Sequence, residues 1–210
     1  MRVLAHRGYW TKPEERNSVA AFARAFALGF GAETDVRDSL GQLVIAHDLP
    51  LGGEMELDAF LHLARRRGLP LALNIGSAGL AAPLARAMRN YQGEWFAFNM
   101  SVPDLRAHLA AGNPVYTRLS DIEPRPACLD ACAGVWLDSF EGQWFGRSAI
   151  EDLLAGGKRV CVVSPELHGR DPGPLWASLR RLAAHPGLAL CTDRPAQAMQ
   201  HFHPGAAGIA

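Results

Sequence analysis

Eight short apolar runs, each followed by a helical pattern, limit what this chain can fold into more than any other feature. The runs cover residues 3–6, 32–36, 71–75, 95–99, 115–118, 135–138, 160–164 and 188–192. Helical patterns occupy 18–28, 57–67, 79–91, 103–111, a short stretch around Cys128, 148–155, 175–184 and 195–202. A chain that repeats β-then-α eight times predicts a single closed (β/α)8 barrel, with an open doubly wound sheet as the alternative. At 210 residues such a barrel is compact and needs short loops throughout. The reading takes residues 1–203 as one domain and 204–210, rich in Gly and Ala, as a flexible tail.

Boundary residues agree with this parsing. Asn17-Ser18 offers an N-cap, and Gly29 and Gly31 end the helix that follows. Pro103 and Pro195 suit first-turn positions behind Ser101 and Asp193, so Asp193 reads as a helix cap. One insertion departs from the β/α period. After the second run, Asp38-Ser39-Leu40-Gly41-Gln42 is turn-rich and Leu43-Val44-Ile45-Ala46 resumes as a strand, which predicts a small hairpin that carries His47 back towards His6.

The 21 basic residues balance the 21 acidic ones, so no global field would draw this chain to nucleic acid or to an anionic membrane. An anionic ligand must therefore be handled locally. Arg65-Arg66-Arg67, the one tight basic run, suits the negative end of its helix. No apolar stretch approaches the ~18 residues of a membrane span, and the N-terminus enters a strand at once, so the expected location is cytoplasmic without membrane insertion. Cys161 and Cys191 read as small buried residues, and Cys128 and Cys132, at i and i+4 without a second pair, make a poor zinc site.

Chemistry concentrates where strands end. Val3-Leu4-Ala5 stops at His6, and Gly8 breaks the run. Glu33 and Asp35 are two apart on a strand, so both carboxylates face one way and favour a cation between them. Successive runs end in His6, Asp35, Asn74, Asn99, Arg118 and Asp138, with Glu166 and Asp193 just past the last two; in a parallel barrel these ends meet at one rim. A divalent ion on Glu33 and Asp35, with Arg7 beside it, would neutralise the oxygens of a phosphodiester. One histidine would take a proton from the nucleophile and the other protonate the leaving oxygen.

The ordered elements His6-Arg7-Gly8, Glu15-Arg16-Asn17-Ser18, Glu33-Thr34-Asp35 and His47-Asp48 resemble the motifs of glycerophosphodiester phosphodiesterases. Cys191-Thr192-Asp193-Arg194-Pro195 is similar to that family's last-strand motif. The resemblance implies a TIM barrel of the phospholipase C-like kind that hydrolyses glycerophosphodiesters, a step of lipid metabolism. It further implies Mg2+ or Ca2+ on Glu33 and Asp35, and His6 and His47 as the acid/base pair, with His6 as the base. The partner expected is a small-molecule phosphodiester. A lyase that forms a cyclic phosphate and a barrel that binds phosphoesters without turnover are the alternatives.

The departure from that pattern is in the third strand, where the family's Glu-x-Lys pair is replaced by Asn74 and Gly76. Alternation keeps both on one face. An Asn carbonyl ligates a hard cation, Ca2+ more naturally than Mg2+, but it is neutral. One negative and one positive charge are lost together, so metal affinity is expected to fall. Glu166 is the expected substrate or phosphate contact on the loop after the seventh strand, alongside His168 and Arg170, with a surface turn as the other reading. Trp136, Phe140, Trp144 and Phe145 around Asp138, with Tyr9 and Trp10, read either as an apolar wall at the rim or as ordinary packing.

Overall fold

The computed structural model of the chain describes residues 1–65 and 67–204. The strands are β1 (Arg2–His6), β2 (Gly31–Ser39), β3 (Gln42–Ile45), β4 (Met55–Glu56), β5 (Leu71–Ile75), β6 (Trp95–Phe98), β7 (Tyr116–Leu119), β8 (Gly134–Leu137), β9 (Arg159–Val163) and β10 (Leu188–Thr192). The helices are α1 (Val19–Ala27), α2 (Leu57–Arg65), α3 (Ala81–Met88), α4 (Val102–Ala110), α5 (Arg147–Ala155), α6 (Gly173–Leu179) and α7 (Pro195–Phe202). The helix expected over 57–67 ends at Arg65, and Arg66 lies outside the described residues, as does the predicted tail beyond Pro204.

Parallel pairing runs β7-β8-β9-β10-β1-β2-β5-β6. An isolated parallel bridge between Ala97 and Val115 joins β6 to β7 and completes the ring. There Ala97 N donates to Pro114 O at 2.9 Å. The architecture is the (β/α)8 barrel read from the alternation, not the open sheet. The expected hairpin is present: β3 pairs antiparallel with β2, and β4 adds a further short strand. Leu40 and Gly41 turn it with φ of 52° and 86°, the doubly positive geometry that matches the twist of two tightly linked strands.

Two apolar layers follow from the period of two along each strand. Outward residues such as Val3, Ala5, Ala32, Leu73, Val162 and Leu190 pack with helix residues Phe22, Phe60, Leu84 and Leu179 in the main core. Inward residues Leu4, Ala72, Phe96, Phe98, Tyr116, Trp136, Cys161, Val163 and Cys191 fill the barrel. Phe96 stacks on Tyr116 at 3.7 Å and Phe98 on Trp136 at 3.9 Å between centroids, each pair adding roughly 1 kcal/mol to the area it buries. Gly134 makes room for this, because a Cβ there would lie 2.7 Å from the Tyr116 ring and 2.5 Å from Arg159 O.

Helix α1 shows how local chemistry sets the elements. Ser18 Oγ accepts from Ala21 N at 3.2 Å as the N-cap. Gly29, at φ 79°, ends the helix as Phe30 N returns to Ala25 O at 3.0 Å, a left-handed stop that favours glycine. Two of the aromatics follow the packing reading. Trp136 belongs to the barrel interior and Phe145 to the outer core, because their strand parity and loop direction turn them into apolar layers. Cys128 and Cys132 do not share a helix face; a 3-10 turn over Leu129–Ala131 leaves the first exposed and buries the second.

Candidate active site at the barrel mouth

The C-terminal ends of β1 and β2 lie side by side, with His6 in register with Glu33. The inward parity of Leu4 continues to His6, and that of Gly31 to Glu33 and Asp35, so the imidazole and both carboxylates face the barrel mouth. His6 Nε2 is 3.9 Å from Glu33 Oε2. Its Nδ1 is 2.7 Å from Asp193 Oδ1. This corrects the capping role assigned to Asp193. The N-cap of α7 is Arg194, without a side-chain cap, and Asp193 instead orients the His6 ring because ring closure places β10 beside β1.

Arg7 follows at φ 56°, a left-handed conformation that costs a residue with a Cβ on the order of 1 kcal/mol. That turn aims its backbone N–H at Glu33 twice, at the main-chain oxygen (3.0 Å) and at Oε2 (3.3 Å). Its guanidinium meets the other carboxylate, with Nε 3.3 Å from Asp35 Oδ2. Asn17, also left-handed at φ 58°, donates from Nδ2 to Asp35 Oδ2 at 2.9 Å and accepts from Thr34 Oγ1 at 2.8 Å. Read locally, Asn17-Ser18 offers a cap. Ser18 does that work, while Asn17 holds the end of β2.

A chain of amides continues around the rim. Asn74 Nδ2 donates to Asp35 Oδ1 (2.9 Å), Asn99 Nδ2 to Asn74 Oδ1 (2.9 Å), and Arg118 Nη1 to Asn99 Oδ1 (2.5 Å). Asn74, the expected neutral metal ligand, thus lies against Asp35 but turns its oxygen towards Asn99. Glu166, the expected substrate or phosphate contact, accepts from Ser164 and Thr192 hydroxyls and from Asp193 N at 3.2 Å. It braces the segment that carries Asp193. His168 bonds Asp138 (2.8 Å) and Arg170 bonds Ser139 O, which ties the same loop to the end of β8.

His47 is the sequence-predicted residue that the structure does not bring in. The hairpin returns its backbone as expected, since Ala46 N donates to Asp35 O at 3.1 Å. The ring, however, bonds Asp48 Oδ1 at 2.9 Å and its side chain is 54% exposed. Register could deliver the main chain; the side-chain rotamer follows the nearest partner, and that partner is Asp48.

The electrostatics separate the two carboxylates. Burial pushes Glu33 up to about 7, Asp35 adds to the rise, and His6 and Arg7 oppose it. Asp35 accepts two amide hydrogen bonds and has the Arg7 guanidinium beside it, whereas Glu33 accepts from one backbone N–H. A dry carboxylate in that state is relieved by a cation. Among the described residues no group of three or more His, Cys, Asp or Glu forms a closed metal cage. The donor set of Glu33 and Asp35 oxygens, with the Asn74 amide within reach of Asp35, suits a hard cation that keeps several waters.

No protein-family profile matches the sequence, and no curated protein matches it. Solved structures do. A phosphodiesterase from Oleispira antarctica, in complex with the product sn-glycerol-3-phosphate, superposes with a TM-score of 0.69 at 17% identity over 96% of each chain. A Ca2+-dependent phosphatidylinositol-specific phospholipase C from Streptomyces antibioticus gives 0.55 at 13% identity, over 96% of this chain and 95% of that one. A 7,8-dihydropteroate synthase from Vibrio fischeri gives 0.54 at 12%, over 96% and 90%. Three chemistries on one scaffold leave function to be argued from the site; what the chain has in common with these enzymes is the TIM barrel, over nearly its full length.

Proposed function

We propose that the chain is a metal-dependent phosphodiesterase that hydrolyses a glycerophosphodiester or a similar small alcohol phosphodiester. The observation that carries this reading is the gathering of His6, Arg7, Glu33 and Asp35 at the mouth, where active sites of this architecture lie. Glu33 and Asp35, with Asn74 after an amide flip, would hold Mg2+ or Ca2+. When bound, the ion supplies charge neutralisation for the phosphoryl oxygens. The Ca2+ dependence of the Streptomyces enzyme supports a divalent ion, and the product in the Oleispira complex supports a small phosphoester.

His6 is the base: Asp193 binds Nδ1 and so leaves Nε2, on the Glu33 side, to take the proton of the nucleophile. His47 serves the leaving oxygen after rotation away from Asp48. Arg7 holds Asp35 and presents its remaining guanidinium edge to the substrate. The test is turnover of glycerophosphodiesters in Mg2+, Ca2+ or EDTA, with His6→Ala and His47→Ala alongside, products read by phosphorus NMR. Metal-dependent cleavage is expected, with a loss of about 10²- to 10⁴-fold in each variant. A cyclic phosphate product would reassign the reaction to a lyase. Ligand-induced stabilisation without turnover under any metal would make the barrel a binding protein.

A further inference from the structure

Arg37 lies on the same face of β2 as Glu33 and Asp35, one step further towards the rim. Its neighbour across the ladder is Gly76: Val36 pairs with Ile75 in register, and Gly76 N donates to Val36 O at 2.9 Å. Below this pair, on the same face, sit Asp35 and Asn74. A two-residue step along a strand puts the rows about 7 Å apart. Gly76 has no side chain, and Arg37 fills the space that one would take. A Cβ at position 76 would lie 2.9 Å from Arg37 Nε and 3.0 Å from its Cγ and Cζ.

The guanidinium is fixed by carbonyls alone. Nε donates to His47 O at 3.0 Å and Nη1 to Gly76 O at 2.6 Å. Among the described residues Arg37 has no carboxylate partner, whereas Arg7 lies beside Asp35 and Arg118 beside Glu123. Two main-chain acceptors therefore hold the plane in place and leave Nη2 and the full positive charge unspent. A planar, pre-positioned guanidinium with a free edge is the group that recognises phosphate oxygens.

We infer that Arg37, seated over the side-chain-free Gly76, is a second oxyanion-binding cation of this mouth beside Arg7, contacting a non-bridging oxygen of a phosphate ester. The assignment rests on the phosphodiesterase reading for its ligand class, but its test is a binding measurement. Calorimetry with sn-glycerol-3-phosphate and with inorganic phosphate, in Ca2+ and in EDTA, would compare wild type with Arg37→Lys, Arg37→Gln, Arg37→Ala and Gly76→Ala. One charge-assisted contact corresponds to about a 10- to 100-fold change in Kd. The expected order is wild type tightest, Lys intermediate, and Gln and Ala weakest. Gly76→Ala should weaken binding too, because the methyl displaces the guanidinium, and the double variant Arg37→Ala/Gly76→Lys should regain part of the loss.

Gln at position 37 places its NH2 near the Nε position and can still donate to His47 O, so Gln binding as well as wild type would mean that Arg37 only braces the loops, and would overturn the proposal. Equal Kd for wild type and Arg37→Ala, both folded by thermal melt, would do the same. If wild type cleaves phosphodiesters and Arg37→Ala leaves KM unchanged, this assignment alone fails. If wild type neither binds nor cleaves any phosphoester, the phosphodiesterase reading fails and takes the assignment with it.

Discussion

Glu33→Gln is expected to trade the site for stability in a pH-dependent way. The carboxyl is 2% exposed, and its value is raised from the ordinary 4.5 to about 7, with burial the largest cause. With a raised value, the native state holds a proton that the unfolded chain has released. The stability Glu33 contributes is therefore fully present below pH 4.5 and is lost as the pH rises through about 7. At about 1.4 kcal/mol per pH unit, the interval from 4.5 to about 7 bounds that loss at roughly 3–4 kcal/mol, of which about 3 falls between pH 5 and 8. Glutamine has no charge to desolvate, so its stability lacks this slope, but its buried NH2 lacks an acceptor and costs roughly 1–2 kcal/mol at every pH.

The variant should then be the less stable protein near pH 5 and the more stable one near pH 8, crossing over between them. Urea titrations in EDTA across that range read the difference, and the swing of roughly 3 kcal/mol does not depend on the amide penalty. Adding Ca2+ or Mg2+ should stabilise wild type and close the gap near pH 8, while the variant responds weakly. Parallel stability curves for the two proteins from about pH 5 to 8 would refute the argument, because Glu33 would then not titrate in a dry site.

Asn74→Glu replaces a donor to Asp35 with a third carboxylate, so the metal-free protein should lose stability while calorimetric metal affinity rises about tenfold or more; unchanged affinity would mean that position 74 does not meet the ion. Asp193→Ala frees His6 Nδ1, and kcat should fall by about 10²-fold or more with KM little changed, read from steady-state kinetics on a glycerophosphodiester.

Much of this protein was legible along the chain because the relevant physics is local. Apolar runs at strand length, the Ser18 cap and the Leu40-Gly41 turn each depend on a few neighbours, and together they imply the barrel and its hairpin. Alternation alone was enough to set Glu33 and Asp35 on one face. Partnerships across the ring were not legible in this way. Asp193 meets His6 from 187 residues away only because β10 closes against β1, and the same residue next to Pro195 reads as a cap when the chain is taken locally. Asn17 reads as a cap residue and Asn99 as one strand end among eight until Asp35 and Asn74 are placed beside them, and Arg37 carries no local signal until Gly76 is. His47 shows the reverse limit: strand register returned its backbone to Asp35, but a side-chain torsion is decided by which acceptor is nearest, and Asp48 is. Secondary structure follows from short-range sterics and burial, whereas the direction of a polar side chain is set by partners that only the closed barrel brings within hydrogen-bond reach.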